Sequence, residues 1–173
     1  MQDTRRMEAH VAAIPYVGQV TVRRYPPARI AIVVKERIPF AVVRWGGAGA
    51  IVDHALRVLE PEAADPALPI LTLPGKGQLI AGSFLATRDA VVLRDAYDAT
   101  TRAGLAPEAL SFDRFGQLEV KIAAGPMLLL GEPVGLEEKL RLSIAIVAQT
   151  AHARRRLATI DVRAPATPVV VYR

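Results

Sequence analysis

Most apolar residues in this chain fall in short alternating or β-branched runs, and only three segments carry the spacing of a helix. The stretch 19–39 sets the pattern. Val20-Thr21-Val22 alternates into Arg23-Arg24, Tyr25-Pro26-Pro27 interrupts, and Ile30-Ala31-Ile32-Val33-Val34 follows, ending in Lys35-Glu36-Arg37. Proline lacks the N–H that a ladder needs, so adjacent prolines mark a corner between strands. The expectation is a strand over 17–25, a tight turn and a second strand over 29–36. Upstream, Met7, Val11 and Ile14 share a helical face; Asp3 or Thr4 is placed to cap that helix and Pro15 to stop it.

Residues 40–45 read as a further strand and Gly46-Gly47-Ala48-Gly49 as a turn. Residues 50–53 and 56–59 read as short strands about an Asp53-His54 turn. The Pro- and Ala-rich segment 60–69 and the Gly-rich segment 74–82 read as loops. Thr87 can cap a helix running to about Ala103, with Asp89 in its first turn and Gly104 after its end. Val92, Ala96 and Ala99 would line its inner face, with Leu93 and Tyr97 beside them. Strands are expected at 110–115, 117–123 and 127–130. The strongest helical pattern spans 136–153, where Leu136, Leu140, Ile144, Val147 and Ala151 form a stripe. That stripe should pack on the sheet of 110–130, with Ile144 in the core. Glu137 and Glu138 stand at the positive end of this helix and Arg154-Arg155-Arg156 at its negative end. Two last strands fall at 157–163 and 168–172. The fold class expected is α+β: a helix and two strands, then a mixed β-sheet domain with two packed helices.

Composition narrows the function classes. Half of the 173 residues (51%) are hydrophobic, which excludes a disordered chain. Aromatics are only 5%, so the core is built from Val, Ile, Leu and Ala, and base-stacking surfaces for single-stranded nucleic acid are disfavoured. A net charge of +5 suits an anionic membrane face, a nucleic acid or an acidic partner alike. There is no cysteine, which excludes disulfides and thiolate metal sites. No apolar run reaches 18 residues, and residues 1–13 are charged rather than signal-like.

No catalytic constellation stands out. His10, His54 and His152 are far apart and none has a partner at metal-ligand spacing. Ser83, Ser111 and Ser143 lack the elbow and base of a nucleophile, and Ser143 reads as a structural residue inside a helix. Gly75-Lys76-Gly77 lacks the spacing of a phosphate loop, and 46–49 is no dinucleotide fingerprint. The expectation is no enzyme, no metal and no cofactor. Charge clusters at Arg23-Arg24, Arg37 and Arg154–Arg156 read as solvated, or as contacts to an acidic partner or lipid head group. Glu36-Arg37 reads equally well as a local ion pair fixing the angle between domains. The final strand is the candidate binding site. Val169-Val170-Val171-Tyr172 is apolar on both faces, and Pro168 before it is tolerated only at a sheet edge. With no later segment to cover it, such an edge would accept a partner strand, and Asp161 and Arg163 on the preceding strand would complement its charges. The candidate partner-binding residues are Asp161, Arg163, Val169, Val170, Val171 and Tyr172.

Several of these segments together resemble the FtsQ/DivIB family of bacterial cell-division proteins. The residues that carry the resemblance are Pro15-Tyr16-Val17, Val22-Arg23-Arg24-Tyr25-Pro26, the run 30–34, Glu36-Arg37-Ile38-Pro39, Leu68-Pro69-Ile70-Leu71 and Ile160-Asp161-Val162-Arg163. They occur in family order over nearly the whole chain. Where the family often places an aromatic after the closing Asp-x-Arg, this chain has Ala164 and Pro165. The resemblance implies that 1–38 is the C-terminal part of a POTRA domain, the chain starting inside it, and that 39–173 is the family's β domain. It implies a non-catalytic divisome scaffold with FtsB-like and FtsL-like protein partners, a septal peptidoglycan synthase among the candidates, and no nucleic acid. It further implies one membrane span in the full-length protein, with the body on the periplasmic side of the inner membrane at the septum. Two other readings are a POTRA-bearing module of a protein-translocation or outer-membrane assembly factor, and a small hydrolase.

Overall fold

In the computed structural model, residues 4–150 and 156–173 are described, and they form an α+β fold. The opening unit follows the alternation of its residues closely. Helix α1 (Thr4–Ala12) precedes β1 (Val17–Tyr25) and β2 (Arg29–Glu36), which pair antiparallel as a sheet of their own across the proline corner. α1 lies along β1, and Glu8 accepts a hydrogen bond from the Val22 backbone N–H at 2.8 Å. Asp3, the other candidate cap, lies outside the described residues.

The remaining strands build one mixed sheet in the order β11-β10-β9-β8-β7-β6-β3-β4-β5. β3 (Pro39–Trp45) and β4 (Ala48–Asp53) form a hairpin closed by Gly46 and Gly47 alone. Both glycines have positive φ (59° and 93°), which a two-residue hairpin turn requires. The four-residue turn expected at 46–49 is thus half as long, and Ala48-Gly49 belong to β4. β5 (Val58–Pro61) starts two residues later than expected, because Leu56 is held in the turn at φ 61°. β6 (Ile70–Leu73) was not foreseen as a strand, yet it sits mid-sheet, parallel to both β3 and β7. Four residues between a proline-rich and a glycine-rich loop are too few to show a period.

β7 (Pro107–Phe112) and β8 (Leu118–Ile122) pair antiparallel. Asp113 ends β7 three residues before the expected limit, because its carboxylate accepts the N–H groups of Phe115 and Gln117 and folds 113–117 into a turn. β9 (Met127–Gly131) pairs with β8, and β10 (Leu157–Asp161) runs parallel to β9. Parallel neighbours need crossovers: β4 and β5 carry the chain from β3 to β6, and the two long helices supply the other two. α2 (Arg88–Arg102) links β6 to β7 and α3 (Leu136–Thr150) links β9 to β10. Both helices cover one face of the sheet, where Leu71, Leu93, Leu110, Leu118, Leu128, Leu130, Leu140 and Ile160 are fully buried in one core. A smaller cluster of Val42, Ile51 and Leu59 lies apart from it, packed by Tyr16, Ala63 and Leu68.

The helix faces differ from the sequence stripes. α2 is capped by Thr87, whose hydroxyl accepts the Ala90 N–H, but it buries Ala90, Leu93, Ala96, Ala99 and Thr100; Val92 is only half-buried. α3 buries Lys139, Leu140 and Ser143, leaving Ile144 half-buried rather than in the core. The reason is Lys139. Its ammonium donates to the carbonyls of Leu130 (2.7 Å) and Glu132 (2.8 Å) at the end of β9, which turns that side chain inward. Ser143 donates to the Lys139 carbonyl, the structural role its place in the helix suggested. Residues 151–155, with Ala151, His152, Arg154 and Arg155, lie outside the described residues.

Candidate functional site

The two edges of the large sheet are built differently. At the β5 end the chain folds back on itself: Val58 N–H donates to Ser83 O (2.8 Å), Gly82 N–H to Val58 O (2.8 Å) and Leu85 N–H to Leu56 O (2.9 Å). Arg57 lies over the Phe84 ring of this strap at 5.6 Å, and Pro61 at the end of β5 has no N–H to offer. That edge is closed to further pairing. At the other end stands β11 (Val169–Tyr172), antiparallel to β10 through Ile160–Val170 and Asp161–Val169. Among the described residues no segment pairs with its outer side. Val170 packs against the main core, whereas Val169, Val171 and Tyr172 are 58%, 52% and 38% exposed. β11 thus presents open backbone groups flanked by apolar side chains.

Asp161 and Arg163 lie beside this edge and are spent largely on each other. The Arg163 guanidinium donates Nε–H to both Asp161 oxygens (2.9 and 3.0 Å) and Nη1–H to Gln117 Oε1 at 3.0 Å. These hydrogen bonds hold the Asp161 carboxyl below its ordinary pKa and raise that of Arg163. A carboxylate whose pKa falls on folding stabilises the protein at neutral pH, and that contribution is lost as pH drops through the lowered value. In thermal melts, wild type should exceed Asp161→Asn at pH 7, and the gap should close as the pH is taken below the ordinary carboxylate range. A gap that persists at low pH would show that packing, not ionisation, sets it.

A second constellation joins the two sheets, and the sequence pointed to the wrong partner for it. Arg37 pairs with Asp53 of β4, Nη1 to Oδ2 at 2.6 Å, not with the adjacent Glu36. The same guanidinium donates Nε–H to Val17 O (3.2 Å), and the Arg37 backbone N–H donates to Tyr16 O (2.7 Å). Asp53 also accepts the Arg57 N–H at 2.8 Å, so one buried carboxylate shapes the β4–β5 turn and anchors the linker. Gly18 leaves the room: a Cβ there would stand 3.1 Å from Lys35 O and 3.4 Å from the Arg37 side chain. Tyr16 adds a hydrogen bond to Glu60 (2.9 Å), and its phenol pKa is raised by burial and by that carboxylate. His54, adjacent to Asp53 in sequence, instead meets Asp98 of α2 at 3.1 Å, with Phe40 edge-on to its ring at 4.8 Å. Among the described residues no group of three or more His, Cys, Asp or Glu is placed to hold a metal, and no helix is long and apolar enough to cross a membrane.

Similarity to known proteins agrees in direction with the resemblance read from the sequence. Over 151 residues, 87% of its length, the chain is 30% identical to the cell division protein FtsQ of Allochromatium vinosum. It covers 56% of that relative, so it spans about half the length of the curated protein it matches. No family model matches the chain.

Proposed function

We propose that this chain is the extracytoplasmic part of an FtsQ-like cell-division protein, a non-catalytic scaffold that recruits protein partners by strand addition at β11. The observation that carries this reading is the contrast between the edges: the chain closes the β5 edge with its own strap and leaves β11 open, apolar and flanked by Asp161 and Arg163. An open apolar edge invites aggregation unless a partner takes it, and a strand gains main-chain hydrogen bonds there while side chains read its identity. The partners in this reading are FtsB-like and FtsL-like proteins of the division septum. We assign 1–38 to the C-terminal part of a POTRA domain and 39–173 to the β domain, a division supported by the separate β1–β2 sheet and its Arg37 joint. The full-length protein would be held by one span in the inner membrane, with this body on the periplasmic side.

The test uses Val170→Pro and Val171→Pro. Successive N–H groups on a strand point to opposite sides, so one of the two variants removes an outward donor. Titrated with the extracytoplasmic segment of the FtsB-like protein from the same organism, that variant should bind about tenfold more weakly, the equivalent of about one hydrogen bond. Unchanged affinity in both variants, each folded by circular dichroism, would place the partner elsewhere.

A further inference from the structure

We infer that the cleft between α2 and α3 is a second docking surface, shaped for an acidic amphipathic helix of a partner protein. The cleft has a volume of about 400 Å³. Ala99 and Leu140, both buried, form its apolar floor, Ala103 and Ile144 its apolar walls, and Arg102, Arg141 and Glu137 also line it. Small residues on α2 open the space, and the inward turn of Lys139 leaves Ile144 half-exposed toward it. Three features select the occupant. The walls are side chains of two helices and offer no sheet edge, so an extended peptide has no strand to pair with, whereas a helix brings its own backbone satisfied. The apolar walls suit side chains at i, i+3/i+4 and i+7 of such a helix. Arg102 and Arg141 have no ion-pair partner among the described residues, so the cleft carries two free guanidiniums against one carboxylate, and a partner carboxylate is the complementary charge.

Recognition here would be independent of the β11 edge: that edge pairs through its backbone, whereas the cleft binds through side chains alone. It also stands apart from the strand-addition reading, since no part of it uses β11.

The probe is a synthetic helical peptide with leucines at i, i+4, i+7 and i+11 and glutamates beside them, titrated into the ¹⁵N-labelled protein. Its control carries lysine for every glutamate. The acidic peptide should shift the amides of Ala99 to Ala103 and Glu137 to Ile144. Its affinity should fall about tenfold in Arg102→Glu/Arg141→Glu, two lost charge contacts being equivalent to about 1.4 kcal/mol. Val170→Pro should leave it unchanged. The inference fails if acidic and basic peptides bind alike, if the shifts fall on β11, or if charge reversal has no effect. It also fails if phosphatidylglycerol vesicles displace the peptide and shift the same amides, which would give the cleft to a membrane surface.

Discussion

Leu140→Ala is expected to destabilise the protein by about 2–5 kcal/mol, and Ile144→Ala, one turn along the same helix, by about 1 kcal/mol or less. The two residues occupy equivalent places in the sequence stripe, so the sequence alone gives them equal weight. The structure separates them. Leu140 is 1% exposed in the main core beneath α3, and its truncation leaves a cavity bounded by strands that cannot collapse into it. Ile144 is half-buried at the open cleft, where water replaces what is removed. For a chain of this size each kcal/mol lowers the melting temperature by about 2–4 °C, so the variants should differ plainly in a thermal melt. Equal losses would mean that α3 is rotated from the orientation Lys139 gives it.

That contrast shows where the sequence was legible. The opening strands and α1 were readable because β-branched alternation, helical spacing and prolines agreed on a single local answer, and β1 and β2 have the limits expected of them. The ends of α2 were readable from Thr87 and Gly104, because capping is a local event. What could not be read depended on distant partners. The orientation of α3 is set by two carbonyls of the β9 end that capture Lys139, and a lysine in a helix reads as solvent-facing. β6 is a central strand only because β3 and β7 flank it. The place of β11 at an edge followed from Pro168 and the apolar run, but the closure of the opposite edge did not: residues 82–85 carry too little pattern to announce a strap on β5. Likewise Arg37 stands beside Glu36 in sequence, yet successive residues of an extended chain point apart, and the carboxylate it meets lies on β4.

Asp53→Ala should therefore act on two levels at once. Removing the carboxylate leaves the Arg37 guanidinium, largely withdrawn from water, without its counter-charge and the Arg57 N–H without its acceptor. Breaking a buried pair costs about 3–5 kcal/mol; because the Arg37 side chain keeps some contact with water, about 2–3 kcal/mol is the expected loss. Asp53→Asn keeps the shape and can still accept from the Arg57 N–H, so it should recover part of that loss. Arg37→Met tests the joint from the other side, because it removes the charge and keeps most of the chain that packs beside Gly18. Global stability alone would not distinguish a joint from an ordinary buried pair. Residual dipolar couplings do. In the wild type the amides of β1–β2 and those of the large sheet should fit one alignment tensor, since Arg37 bonds Val17 and Asp53 simultaneously. In Arg37→Met the two sheets should require separate tensors while each keeps its own internal fit. If a single tensor still suffices, the Tyr16–Glu60 hydrogen bond and the packing of Tyr16 on Val42, Ile51 and Leu59 hold the sheets together without the ion pair.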